Sequence, residues 1–318
     1  MSLDTNANVA PRTPVPTPPG GGSGRRPALR KDSDDSSSMA STKRNRLIVL
    51  GGLILAAFYS VGPVWWLVVA STKTRQQLYT TSGLWFADFN FVSNLQQLFT
   101  FQDGAYPRWL WNSIFYSGAS SIGLTAVSLA AGYGIAKYQF RGRGLTMAAI
   151  IGSFLIPGVL LTIPSYLLYV RIGIYDTAWA MIVPGIFSAF SVYLVKVYAE
   201  GAVPTELIEA ARVDGAGEYR IFGQISVRLL TTAGATVFLL HFVGSWNSFF
   251  APMVFLRDSQ KWPVMLGLYS WLQKGTSSEV DLTGMVIIGA LIATIPMALL
   301  MLAMQRYWRS GLTLGSLK

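Results

Sequence analysis

The sequence predicts an all-α membrane protein with six spans, both termini cytoplasmic, and an amphipathic helix in the cytoplasm between spans four and five. Three observations carry that prediction. Charged residues make up 13% of the 318-residue chain and hydrophobic residues 52%, whereas a soluble domain carries about 25% charged residues. Six apolar windows, 47–70, 112–136, 146–169, 177–198, 229–256 and 284–305, are long enough to cross a hydrocarbon core about 30 Å thick. With the N-terminus inside, thirteen Lys and Arg flank the inner ends, among them Lys43, Arg44, Arg46, Lys137, Arg141 and Arg143, against seven at the outer ends, which sets the orientation. The predicted location is therefore a membrane bordering the cytoplasm, crossed several times.

Composition also excludes functions. The chain has no Cys and one His, so disulfide frameworks, thiolate metal sites and Cys nucleophiles are ruled out and most zinc chemistry with them. No cofactor or metal is expected. The net charge of +10 comes from Lys and Arg in short segments between apolar runs, a pattern of membrane flanks rather than of a soluble nucleic-acid-binding face.

Residues 1–42 are rich in Pro, Gly and Ser and poor in large apolar side chains, so they read as a disordered cytoplasmic tail; translation starting at Met39 is the alternative. The rest, 43–318, reads as one membrane domain. Span one follows Lys43, Arg44 and Arg46 like a signal peptide, but its run of about 24 residues exceeds the 7–15 of a cleavable apolar segment. It is an uncleaved span.

Span two, "GASSIGLTAVSLAAGYG", repeats small residues on one helical face, which permits close helix approach. Pro157 and Pro164 in span three and Pro184 in span four predict kinks or breaks. Spans two, three, five and six hold no Asp, Glu, Lys or Arg, and span four only Lys196 at its cytoplasmic end. Ion-coupled carriers usually need buried ionisable groups, so a secondary carrier is disfavoured. His241 is the titratable exception; a hydrogen bond between helices and a substrate contact are its two readings.

Toward the outer end of span five, "GSWNSFFAPMVF" places Asn247 and Ser248 beside Trp246, Phe249 and Phe250. An interfacial aromatic belt is one reading. The other is a substrate-pathway lining at Trp246, Asn247 and Ser248, since aromatic platforms with neutral hydrogen-bonding groups suit an uncharged polyhydroxylated ligand.

The loop at about 200–228 is the polar exception. Pro204 suits a first helical turn, with Glu206 and Glu209 near the dipole-positive end. Leu207, Ala210, Ala211 and Asp214 share a face by spacing, and the alanines leave it low. Gly215 is expected at positive φ beyond the helix end. A second helix is predicted from Glu218 with Phe222, Ile225 and Leu229 on its apolar side. A helix seated on lipid headgroups is the bland reading, but "EAARVDGAG" offers low relief, which suits a protein partner. Glu209 and Asp214 have no His or Cys beside them, so catalysis is not expected.

"EAARVDGAGEYRIFGQISV" resembles the EAA loop of the membrane subunits of binding-protein-dependent ABC importers. "AAGYGIAKYQFRGRG", "IPGVLLTIPSYLLYVRIGIYDTAWAMIVPGI", "SWNSFFAPM" and "SGLTLGSLK" are similar to segments of the carbohydrate-importer branch, the maltose-transporter type, in order over roughly 45–318. One departure stands out: Ile225 and Ser226 are followed by Val227 and Arg228 where the family continues to Leu and Pro. The missing Pro leaves the junction with span five open, an unbroken helix being the alternative.

The resemblance implies a permease subunit that moves a sugar or oligosaccharide inward by alternating access. It implies a homologous second permease, two ATP-binding subunits and an extracellular solute-binding protein as partners, in membrane lipid and without nucleic acid. Glu209, Ala210, Ala211, Asp214 and Gly215 match the coupling helix that seats in the ATPase, and 307–318 a tail reaching toward it. ATP would be bound by the partners, since this chain has no phosphate-binding Gly-rich Lys motif. A polyol or glycerol-phosphate substrate is the alternative within the same architecture.

Overall fold

Apolar runs that satisfy their own backbone hydrogen bonds in lipid form helices, and helices are the regular elements among the described residues, 35–277 and 281–314, of the computed structural model. The chain divides into two compact units, 1–59 and 60–318. In the first, the described residues are helical from Asp35; residues 35–42 of the expected tail are thus helical, and 1–34 lie outside the described residues.

The helices are α1 (Asp35–Ser71), α2 (Arg75–Thr80), α3 (Phe91–Lys137), α4 (Arg143–Ser153), α5 (Thr162–Arg171), α6 (Trp179–Gly185), α7 (Ala189–Ala202), α8 (Thr205–Val213), α9 (Glu218–Arg220), α10 (Val227–Leu229), α11 (Thr231–Trp246), α12 (Phe250–Phe255), α13 (Val264–Ser277) and α14 (Thr283–Leu314). Four stretches, Asn45–Ser71, Phe91–Lys137, Trp179–Ala202 and Thr283–Tyr307, are long and apolar enough to cross a membrane. Two bent pairs add up to two more: Arg143–Ser153 with Gly158–Arg171 at 96°, and Glu218–Leu229 with Thr231–Trp246 at 74°.

Proline accounts for the first bend. Pro157 holds φ −61° and ψ 122° between α4 and α5, and it both lacks an N–H and disfavours helix in the residue before it. Pro164 falls in the first turn of α5, where its missing donor costs no helical bond. Pro184 sits in the last turn of α6, after which Ser188 caps α7 by accepting from Ser191 N at 3.2 Å.

The second span is preceded by helix the apolar windows did not predict, since α3 begins at Phe91 and breaks at 101–104. Gln102, Asp103 and Gly104 take φ of 52°, 54° and 72°, a left-handed run that costs about 1–2 kcal/mol per non-glycine residue. Neighbouring groups hold it in place. Trp271 Nε1 donates to Gln102 Oε1 at 3.1 Å, and Arg108 donates to the Asp103 carbonyl at 3.4 Å.

Two apolar clusters organise the second unit. One joins Tyr106, Trp109, Trp246, Trp271 and Ile288 from α3, α11, α13 and α14. The other joins Leu124 and Tyr133 of α3 with Val195, Val203, Ile208, Ile221 and Leu230. Along α3 the buried serines Ser113, Ser117, Ser120, Ser121 and Ser128 extend the small-residue face that span two predicts. At Gly132 an added Cβ would lie 2.7 Å from Val195 Cβ and 2.9 Å from Lys196 N, so α3 and α7 touch backbone to backbone there.

A polar strap closes the opposite end. Asp176, at φ 55°, accepts from the amides of Arg257 and Asp258 at 3.0 Å each and from Lys261 Nζ at 2.9 Å. Trp109 Nε1 donates to the Ser259 carbonyl, Tyr116 Oη to the Lys261 carbonyl, and Val264 N to Ser113 Oγ. Burial pushes the Asp176 carboxyl up, but the two amides and the Lys261 ammonium outweigh it and hold the group below its usual value. A depressed folded-state value stabilises the strap fully above the unfolded carboxylate pKa of about 4. The contribution is lost as pH falls through the lowered value. Asp176→Ala is expected to raise hydrogen exchange at the Arg257 and Asp258 amides at neutral pH, and unchanged exchange there would contradict the strap.

Candidate functional site: a docking corner and a membrane cavity

α8 follows Pro204, which sits at its N-cap rather than inside the first turn, with Glu206 near the positive end. Helical periodicity then splits the short helix. Ile208 and Ala211 are buried with Val203, Ile221 and Leu230, while Leu207, Glu209, Ala210 and Asp214 are exposed. The expected face of Leu207, Ala210, Ala211 and Asp214 is therefore divided, because the i, i+3 pair 208 and 211 meets the core stripe and turns Ala211 inward. What the loop offers outward is Ala210 beside the acidic pair, plus two apolar knobs, Val213 at 88% and Tyr219 at 96% exposed.

Gly215 does take positive φ, 78°, and forms a Schellman corner. Ala216 N donates to the Ala211 carbonyl at 2.9 Å and Gly215 N to the Arg212 carbonyl at 3.0 Å, satisfying carbonyls left over at the helix end. Across the corner Arg212 Nε donates to Glu218 Oε1 at 2.7 Å, and the Tyr138 hydroxyl donates to Glu218 Oε2. Tyr133 packs on Phe222 with ring centroids 5.2 Å apart. The loop is thus anchored to the last turn of α3 at two points.

Beyond Glu218 the helix widens into a π-helical stretch, Ile221–Ser226. The wider turn changes which side chains face inward: Ile221, Ser226 and Leu230 are buried, Phe222 and Ile225 half-buried, and Leu229 exposed. The expected inward set of Phe222, Ile225 and Leu229 holds only in part. Nor does the helix run unbroken into span five. Leu230, at φ −90° and ψ 7° and fully buried, turns the chain by 74°, and Thr231 Oγ1 bonds the Arg228 carbonyl at 2.7 Å. Burial of Leu230 thus accompanies a bend made with Val227 and Arg228 in place of Leu and Pro.

Trp246, Asn247 and Ser248 do not converge. Trp246 is buried and stacks on Phe242 at 5.8 Å, so it is no lipid-facing belt residue. Asn247 Nδ2 donates to the Val243 carbonyl at 2.8 Å. Both line an apolar cavity of about 520 Å3 with Phe249, Leu268 and Met297. Ser248, past the end of α11, lines a different cavity of about 410 Å3 with Tyr169, His241, Ser245 and Phe255. His241 Nε2 lies 3.3 Å from Ser120 Oγ, the helix-to-helix contact, and Ser117 Oγ bonds Ser245 Oγ at 3.2 Å. Tyr169, Ser117 and Ser245 escaped the sequence reading because single hydroxyls in apolar runs carry no pattern until folding brings them together.

Residues 125–312 match the family described as "Binding-protein-dependent transport system inner membrane component". The chain is 31% identical over 265 residues to the arabinooligosaccharides transport system permease protein AraQ of Halalkalibacterium halodurans, covering 82% of this chain and 92% of that protein. It is 33% identical over 267 residues to the lactose transport system permease protein LacG of Rhizobium radiobacter, covering 83% and 93%. In fold it is similar to a chain of a bacterial ABC transporter involved in the import of the acidic polysaccharide alginate, with TM-score 0.71, 23% identity, and 84% of this chain and 97% of that one covered. Apolar helices of spanning length, the bent helix pairs and these likenesses lead to one conclusion: the chain belongs to the inner-membrane component family of binding-protein-dependent transport systems.

Proposed function

We propose that this subunit carries a neutral sugar or oligosaccharide inward, driven by ATP hydrolysis on partner subunits. The observation that carries the reading is the cornered loop at 205–230, a short helix closed by Gly215, exposed on one side and anchored to the C-terminal end of α3 on the other. A stiff lever with one free face transmits displacement to the helices it is tied to. Counting each bent pair as one crossing gives six spans, with both termini and the loop on the cytoplasmic side and the Asp176 strap outside.

Glu209, Ala210, Asp214 and Gly215 form the docking side in this reading, and Ala211 supports it from beneath. One of two ATP-binding subunits seats there, a second homologous permease completes the pathway and docks the other, and an external solute-binding protein delivers the sugar. The carbohydrate class is supported by the two relatives named for arabinooligosaccharides and lactose and by a cavity with no Asp, Glu, Lys or Arg in its lining. A glycerol-phosphate substrate would leave its charge unpaired there.

The test is uptake by proteoliposomes holding the complete complex, with ATP inside and the binding protein outside. ATP-dependent accumulation of a neutral sugar that survives an ionophore is expected. Uptake that survives ATP depletion and collapses with the ionophore would overturn the reading.

A further inference from the structure

We propose that the 410 Å3 cavity is a binding site for one neutral, hydroxyl-rich sugar unit, built within this subunit from α3, α5, α6, α11 and α12; the inference rests on the carbohydrate reading. Its volume lies toward the small end of the roughly 300–1,000 Å3 of small-molecule sites. That favours a single unit over a long chain.

Hydrogen-bonding capacity in the cavity is unevenly used. Two of its polar lining groups are satisfied within the protein, since Ser113 Oγ accepts from Val264 N and the Tyr116 hydroxyl donates to the Lys261 carbonyl. Tyr169, by contrast, is nine-tenths buried, yet its hydroxyl has no hydrogen-bond partner among the described residues. Its oxygen is also not sealed in protein, unlike the equally unpartnered hydroxyl of Tyr133, and Tyr169 lines the cavity. Ser248 likewise has a free hydroxyl there, and His241 keeps Nδ1 free while Nε2 faces Ser120. Tyr169 is buried and His241 and Ser248 are half-buried, so three unspent groups lining one partly enclosed cavity offer hydrogen bonds to a polar guest.

The remaining chemistry narrows the guest. No formal charge lines the cavity, and a buried anion without a cation partner is costly. Tyr169 and Phe255, with ring centroids 4.8 Å apart, form an aromatic wall against which the C–H face of a sugar ring packs. An aromatic face opposite neutral donors and acceptors suits a sugar better than a lipid tail or a phosphate ester.

The chain has no Cys, so Ser248→Cys places a unique thiol of this subunit in the cavity. The complete complex, with cysteine-free partner subunits in lipid nanodiscs, is labelled by a small neutral methanethiosulfonate. Labelling is expected to be slowed by a transported sugar from a panel of neutral mono- and disaccharides that includes lactose, and not by sn-glycerol 3-phosphate. Adding Tyr169→Phe is expected to raise the sugar concentration for half-protection about three- to tenfold, the worth of one hydrogen bond between neutral groups. Thr294→Cys, in the separate apolar cavity, reports conformational change alone and is expected to label at the same rate with or without sugar.

Transport of a panel sugar without protection, or with equal slowing at Thr294→Cys, overturns the site and leaves the carbohydrate reading standing. A Ser248→Cys thiol that labels in the isolated subunit but not in the sugar-free complex overturns it too, since a partner then fills the cavity. No ATP-dependent uptake of any panel sugar overturns the carbohydrate reading and the site with it.

Discussion

Gly215→Leu is expected to leave membrane insertion and folding intact while sharply reducing sugar-stimulated ATP hydrolysis in the reconstituted complex. Within this chain the substitution meets open space, because nothing lies within 4 Å of an added Cβ. The internal cost is therefore confined to holding a leucine at φ 78°, about 1–2 kcal/mol, at a corner whose Schellman bonds remain available. The large effect follows from the proposed docking, where a bulky side chain would stand between the loop and the ATP-binding subunit. Stimulation is expected to fall roughly 5- to 150-fold, the range of typical coupling free energies of about 1–3 kcal/mol. Gly215→Asn, which tolerates the left-handed region with a smaller side chain, is expected to lose less. Unchanged stimulation in the leucine variant would remove the loop from the coupling path.

A large loss of stability is expected from Gly132→Ala. Its new methyl would stand 2.7 Å from Val195 Cβ and Cγ1 and 2.9 Å from the Lys196 amide nitrogen. Val195 is fully buried and β-branched, so it has no vacant rotamer to retreat into, and the amide belongs to α7's backbone. Helices α3 and α7 must move apart, at about 1–3 kcal/mol, and α7 leads directly into α8. The thermal unfolding midpoint of the purified subunit is expected to fall by several degrees. Gly134→Ala serves as the control, since nothing lies within 4 Å of its added Cβ, and should leave the midpoint where it was. Equal midpoints for the two variants would show that α3 and α7 do not depend on the contact.

Much of this was readable in advance. The apolar windows located the membrane helices because every backbone group in lipid must bond within its own helix, which makes hydropathy nearly sufficient. Pro157 foretold the break before α5, and Gly215 foretold a positive φ, because each acts through its own backbone alone. Other features depended on neighbours. The left-handed run at 102–104 has a glycine only at its end, and Trp271, 169 residues from Gln102 in sequence, helps to hold it. The bend at Leu230 survives without the family's proline, and the π-helical turn at 221–226 changed which residues of the second loop helix are buried.

The candidate site shows the same division. By itself the sequence determined the class of molecule: helices in lipid, an amphipathic polar loop between two of them, and spans almost without charge. Those properties are sums over local composition and periodicity, which need no knowledge of which helix meets which. Only the tertiary structure decided that Ala211 faces inward, that Trp246 and Ser248 serve different cavities, and that Tyr169, His241 and Ser248 meet around one of them. Those are matters of helix azimuth and of chain breaks such as 247–249, where a single unwound turn sends adjacent residues to different neighbours.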